Sequence, residues 1–126
     1  MMNVKKAVVQ LAAILSATIL FSGIGFAADN FSIMAGEWQR TDGNYVIRVS
    51  HVQPAGQVTA EYFNPRPIHV AEAGISIHKG YIRLFIKFQD KGYEGSMYTL
   101  YYHAEEDSLV GLYYQATMNR SYKVYF

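Results

Sequence analysis

Met97-Tyr-Thr-Leu-Tyr-Tyr-His-Ala-Glu-Glu-Asp-Ser-Leu-Val-Gly-Leu-Tyr-Tyr-Gln-Ala-Thr117 holds two runs rich in Tyr, Leu, Val and Thr, parted by the acidic break Glu105-Glu106-Asp107-Ser108. Aromatic and β-branched side chains suit a pleated, half-buried surface, so two such runs around a short polar break predict a β-hairpin. The chain from Trp38 to Phe126 repeats this unit. Its apolar residues alternate, with no sustained spacing of three and four, which argues for strands and against amphipathic helices. The predicted strands are Gly36–Arg40, Tyr45–Val52, Gln57–Phe63, Ile68–Ile77, Tyr81–Gln89, Met97–Ala104, Leu109–Thr117 and Ser121–Phe126.

The breaks between them carry turn chemistry, among them Asp42-Gly43-Asn44, Asn64-Pro65-Arg66-Pro67, Lys79-Gly80 and the long link Asp90–Gly95. Glu72-Ala73-Gly74 interrupts the fourth strand and marks an expected bulge or bend. One face of most strands is apolar, as with Ile47 and Val49, Ala60 and Tyr62, or Leu84, Ile86 and Phe88; the other carries Arg48, Thr59, Glu61, Arg83 and Lys87. Eight short strands with tight links predict an all-β domain, an eight-stranded antiparallel up-and-down barrel whose closure removes exposed edges. An open β-sandwich is the alternative.

The first residues read as an address. Lys5 and Lys6 precede the apolar run Ala7–Phe26, and Gly25-Phe26-Ala27 supplies small residues at the two positions a signal peptidase reads. Residues 1–27 are therefore expected to be a signal-peptide helix, Ala28–Ala35 a short lead, and residues 36–126 a single domain, periplasmic or secreted. A retained membrane anchor is the rival reading of the same run. With no cysteine in the chain, there is neither a disulfide framework nor a lipidated cysteine, and the mature domain of about 100 residues must stand on its packed core. The formal charge is +1 and becomes −1 without Lys5 and Lys6. No Lys/Arg cluster is present, so nucleic-acid binding is not expected.

Up-and-down order gathers the first, third, fifth and seventh links at one end, and these are the more elaborate ones. Loops on a rigid scaffold are where binding residues usually sit, and barrel mouths are common pockets. The expected site is that mouth, with Asn64, Arg66, Tyr93, Gln115 and Arg120 as ligand contacts. The two prolines around Arg66 fix the backbone and hold its planar fork outward, suited to a carboxylate or phosphate. Tyr93 sits in a glycine-flanked loop where burial is not forced. Of the eleven tyrosines, those in Tyr101-Tyr102 and Tyr113-Tyr114 should fall one inside and one outside the sheet.

No nucleophile motif, phosphate loop or metal-spaced His/Glu pair occurs, so catalytic residues, metal ligands and a cofactor are not predicted. His51, His78 and His103 fall near strand ends on one side, but alternate strands lie about 10 Å apart, too far for a shared zinc.

Gly36-Glu37-Trp38, the late Gly111-Leu112-Tyr113 and the eight-strand meander together resemble the lipocalin and avidin-type (calycin) barrels. The resemblance implies a cup for a small, largely apolar or aromatic ligand entering at the end chosen above. This chain is shorter than a lipocalin, and Trp38 is its sole tryptophan, so biotin binding is not carried over. Tyr62-Phe63-Asn64-Pro65 with Tyr113-Tyr114-Gln115-Ala116 also resembles small uncharacterised exported bacterial proteins, a likeness that brings no activity. The function expected is an exported, non-catalytic binding module. Two alternatives use the same pattern: a protein inhibitor or envelope interaction partner acting through the loops, and a small outer-membrane barrel ending in Tyr125-Phe126. The second is opposed by length, since membrane strands need about 9–11 residues.

Overall fold

Period-two burial builds the sheets. The computed structural model describes residues 30–126, and the expected signal peptide lies outside these described residues. Strands β1 (Gly36–Gln39), β2 (Val46–Ser50), β3 (Thr59–Phe63) and β4 (Pro67–Ile68) form one antiparallel sheet in sequence order. Strands β5 (Val70–His78), β6 (Tyr81–Phe88), β7 (Met97–His103), β8 (Ser108–Gln115) and β9 (Arg120–Tyr125) form a second, also in sequence order. Ile47 and Val49 of β2, Tyr62 of β3, Leu84, Ile86 and Phe88 of β6, and Tyr98, Leu100 and Tyr102 of β7 are buried in one core shared by both sheets. Their neighbours in each strand point away, as alternation requires.

The expected strands are recovered nearly residue for residue, but the closed barrel is not. The chain makes two antiparallel sheets, neither closed, in a sandwich-like arrangement. The reason lies in the fourth expected strand, which breaks at His69, just ahead of the bulge expected near Glu72-Ala73-Gly74. There the backbone leaves the first sheet: the His69 N–H donates to Asp90 Oδ2 (2.7 Å) and its carbonyl accepts from the Gln89 N–H (3.2 Å). A register shift between Val70 and Glu72 then bulges the strand as it enters the second sheet. Pairing between the sheets on this side shrinks to the single bridge Gln57–Gly74. On the opposite side, the Thr41 N–H donates to the Tyr125 carbonyl (2.9 Å).

The Gln57–Gly74 seam demands a glycine. Gly56 has φ +98, its carbonyl accepts from the Ile75 N–H at 2.8 Å, and a Cβ on it would lie 2.0 Å from the Ile75 oxygen. The lead contributes more than sequence suggests. A 3₁₀ turn at Phe31–Met34 buries Phe31 and Met34 in the core, and the Met34 carbonyl accepts from Trp38 Nε1 at 2.9 Å. Trp38 is thereby a core residue, edge-on to Tyr102 at 6.0 Å.

Candidate functional site

The space between the sheets is filled by side chains. Tyr62, Tyr98, Phe88, Met34, Ile47 and Leu84 lead the fully buried set. Hollow space remains at the end formed by the first, third, fifth and seventh links, as a cavity of 360 Å³. Alternation supplies its walls. Tyr62 faces inward from β3, so Asn64 two residues on shares its face; Tyr113 and Gln115 do the same from β8. The first sheet and the second thus each present a tyrosine followed by an amide to the same opening. Arg40, Tyr45, Gly92, Tyr93 and Tyr122 complete the lining.

A hydrogen-bonded chain runs beneath this opening. The half-buried Arg40 guanidinium lies 4.1 Å over the Tyr45 ring. Its Nε and Nη2 donate to the two Asp42 carboxylate oxygens at 2.6 and 2.8 Å, while Nη1 donates to Tyr98 Oη at 3.0 Å. The Tyr98 and Tyr62 hydroxyls are hydrogen-bonded to each other at 2.9 Å. Asp42 pushes the Arg40 pKa up while burial works against it, and Arg40 in turn holds the Asp42 carboxyl below its usual range. Burial raises the phenol of Tyr62, reinforced by Tyr98. Tyr98 is also raised by burial, with Tyr62 and Arg40 opposing. Burial raises Tyr113 as well, the Ser96 hydroxyl opposing it. The floor is therefore a set of neutral hydroxyls beside a guanidinium whose charge is already met by a carboxylate. Phenols held neutral and a carboxylate committed to an arginine present hydrogen-bonding groups and ring faces to the opening.

Of the five expected contacts, three line the cavity. Asn64 Nδ2 donates to the Tyr93 hydroxyl at 2.6 Å, which ties the third link to the fifth, and Gln115 stands with Tyr113 on β8. Tyr93 is less free than expected, since its ring packs edge-on against Phe88 at 6.0 Å. Arg66 and Arg120 are exposed and do not line it. The Asn-Pro-Arg-Pro corner turns Arg66 away, with its carbonyl accepting from the Asn64 N–H at 2.9 Å. Arg120 opens β9 and lies over the Tyr122 ring at 6.0 Å. The arginine that does reach the cavity is Arg40.

Tyr62 and Tyr113 were within reach of sequence reasoning, because each precedes a chosen amide by two residues on one strand. Arg40, at the close of the first expected strand, falls at this end by link order, but its hold on the Tyr98 hydroxyl, 58 residues away, was out of reach. The Tyr101-Tyr102 pair divides as expected, with Tyr102 buried and Tyr101 on the outer face, whereas Tyr113 and Tyr114 are both half-buried. His51 ends β2 with φ 50 and is exposed, apart from His78 and His103. Among the described residues no group of three His, Cys, Asp or Glu side chains is placed to hold a metal ion. Comparison with known proteins returns no match to a family model, to a curated protein or to a solved structure.

Proposed function

We propose that this chain is a non-catalytic binding module whose mouth holds one small ring-bearing ligand carrying hydroxyl, carbonyl or carboxylate groups. The observation that carries the reading is the convergence of Tyr62 with Asn64 and Tyr113 with Gln115, one pair from each sheet, on a 360 Å³ cavity. That volume falls in the range of small-molecule sites. Tyrosine faces supply contact area at little cost in side-chain freedom, and the amides and hydroxyls supply orientation. A largely apolar ligand, the expectation from the barrel resemblance, suits this lining less well, because amides, hydroxyls and a guanidinium surround the opening. The segment 1–27, read as a signal peptide, supports a setting in the periplasm or outside the cell.

The filled interior supports a second reading, a protein partner laid across the same loops, since no deep cup lies between the sheets. An outer-membrane barrel has less support. The longest strand has nine residues, and the apolar face is the buried one rather than the outward one.

Native mass spectrometry of the protein isolated from cells that make it tests the first reading. A bound small mass is expected, and it should vanish in an Asn64→Ala/Gln115→Ala variant whose melting temperature stays within a few degrees. A mass kept by that variant, or a co-purifying protein in place of a small molecule, would overturn the ligand reading.

A further inference from the structure

The outward face of the five-stranded sheet carries a second hollow that the mouth does not use. It is a groove of 510 Å³ floored by Val110, Gly111 and Leu112, walled by Tyr81 and Tyr101, and bounded by Lys79 and Lys123. Register explains how it forms. Arg83, Tyr101, Val110 and Tyr125 face one another across four strands, and Phe85, Thr99, Leu112 and Lys123 make the next row. His78 stacks near Tyr101 at 6.1 Å, and His103 near Tyr81 at 5.5 Å, closing one end. Leu112 and Tyr81 are about half exposed (50% and 49%), too much for residues whose task is packing.

Charge selects the occupant. Lys79 and Lys123 border the groove, with Arg83 in the next row, and no carboxylate lines it. None of the ion pairs among the described residues involves these cations. The nearest carboxylates along the chain, Glu105, Glu106 and Asp107, occupy the exposed turn beyond His103, where Asp107 is engaged by the Tyr102 hydroxyl at 2.9 Å. Glu72, on the same face, is paired in register with Lys87 at the far end of the sheet.

Lys79 and Gly80 form a two-residue hairpin turn with φ 51 and φ 83. Such turns need positive φ at both positions, where asparagine followed by glycine is most at ease. Lys79 stands at the first of these positions and borders the groove.

We propose that this groove binds a small amphipathic organic anion, its apolar or aromatic body on Val110 and Leu112 between the two tyrosines, and its acidic head at Lys79 or Lys123. Occupancy is independent of the mouth. Titration calorimetry with decanoate, decanol and decyltrimethylammonium tests it, with amide chemical shifts recording the location. Decanoate should bind one per chain, roughly tenfold more tightly than either analogue, with shifts centred on Tyr101 and Leu112. A Lys79→Asn/Lys123→Gln variant should lose that preference while melting no lower than the parent, since asparagine suits the turn better. The mouth variant Asn64→Ala/Gln115→Ala should bind decanoate unchanged. Equal affinity for the three probes, a preference that survives loss of both lysines, or shifts confined to the mouth would overturn the proposal.

Discussion

The two sheets bury the same kind of residue inward and treat water differently outward. On the outer face of the four-stranded sheet, Arg48 sits between Glu37 and Glu61 across two strands, at 2.9 and 3.7 Å, and its guanidinium lies 5.0 Å over Phe63. That surface is polar and its charges are matched. The five-stranded sheet instead exposes Tyr81, Leu112 and Tyr125, and Lys79 and Lys123 border a groove with no carboxylate among its described lining residues. Strand length differs as well, from two to five residues in the first sheet and from six to nine in the second. A short sheet with a matched exterior serves to cover the core. The long sheet leaves large apolar side chains such as Leu112 and Tyr81 half in water.

The sharpest break of this comparison falls on the long sheet. Gly111 lies in β8 opposite Leu100, where an added Cβ would meet the Thr99 oxygen at 2.0 Å and Leu100 Cα at 2.9 Å. These are backbone atoms and cannot step aside cheaply, so Gly111→Ala should cost roughly 2–4 kcal/mol in urea denaturation. A loss under about 0.5 kcal/mol would mean that the second sheet is looser than its register implies.

Next in size is the junction of the two sheets. Tyr98→Phe removes the hydroxyl that joins Arg40 and Tyr62 of the first sheet to the second, leaving both without it, and should cost about 1–3 kcal/mol. The same hydroxyls impose a pH limit. Tyr62 and Tyr98 have folded pKa values raised above the ordinary phenol value. Their contribution is therefore complete below about pH 10 and is lost as pH climbs beyond it, because the unfolded chain ionises first. Each should add a downward slope of up to about 1.4 kcal/mol per pH unit, and Tyr98→Phe should flatten it.

The smallest effects separate the exteriors. Arg48→Ala should cost about 0.2–1 kcal/mol and lose that cost in high salt. Leu112→Ser should move stability by no more than about 0.5 kcal/mol, with no salt dependence. Equal salt responses in the two variants would erase the distinction between the faces.

Strand positions were legible because one face of each strand meets the core, which writes period two directly into the chain: Ile47, Val49 and Tyr62 could face no other way. The open sandwich was the alternative reading of the same strands; the choice between it and a closed barrel was not legible, because closure depends on pairing between segments far apart, and here it comes down to Gln57–Gly74 and Thr41–Tyr125. The break at His69 was missed for a related reason. Its cause is Asp90, 21 residues downstream, while Glu72-Ala73-Gly74 offered a nearer and more visible irregularity. In the candidate site, the link order places Asn64, Tyr93 and Gln115 around one cavity. Arg66 and Arg120 lie outside its lining, and Arg40, held by Asp42 and Tyr98, is the arginine in it.

The corner at His69 also shapes how the protein comes apart. Residues 67–78 start in one sheet and finish in the other, so loosening either sheet tugs on a shared spine. With a core shared by both sheets, the two halves are expected to melt in one transition, which coincident near- and far-ultraviolet circular dichroism melts would check.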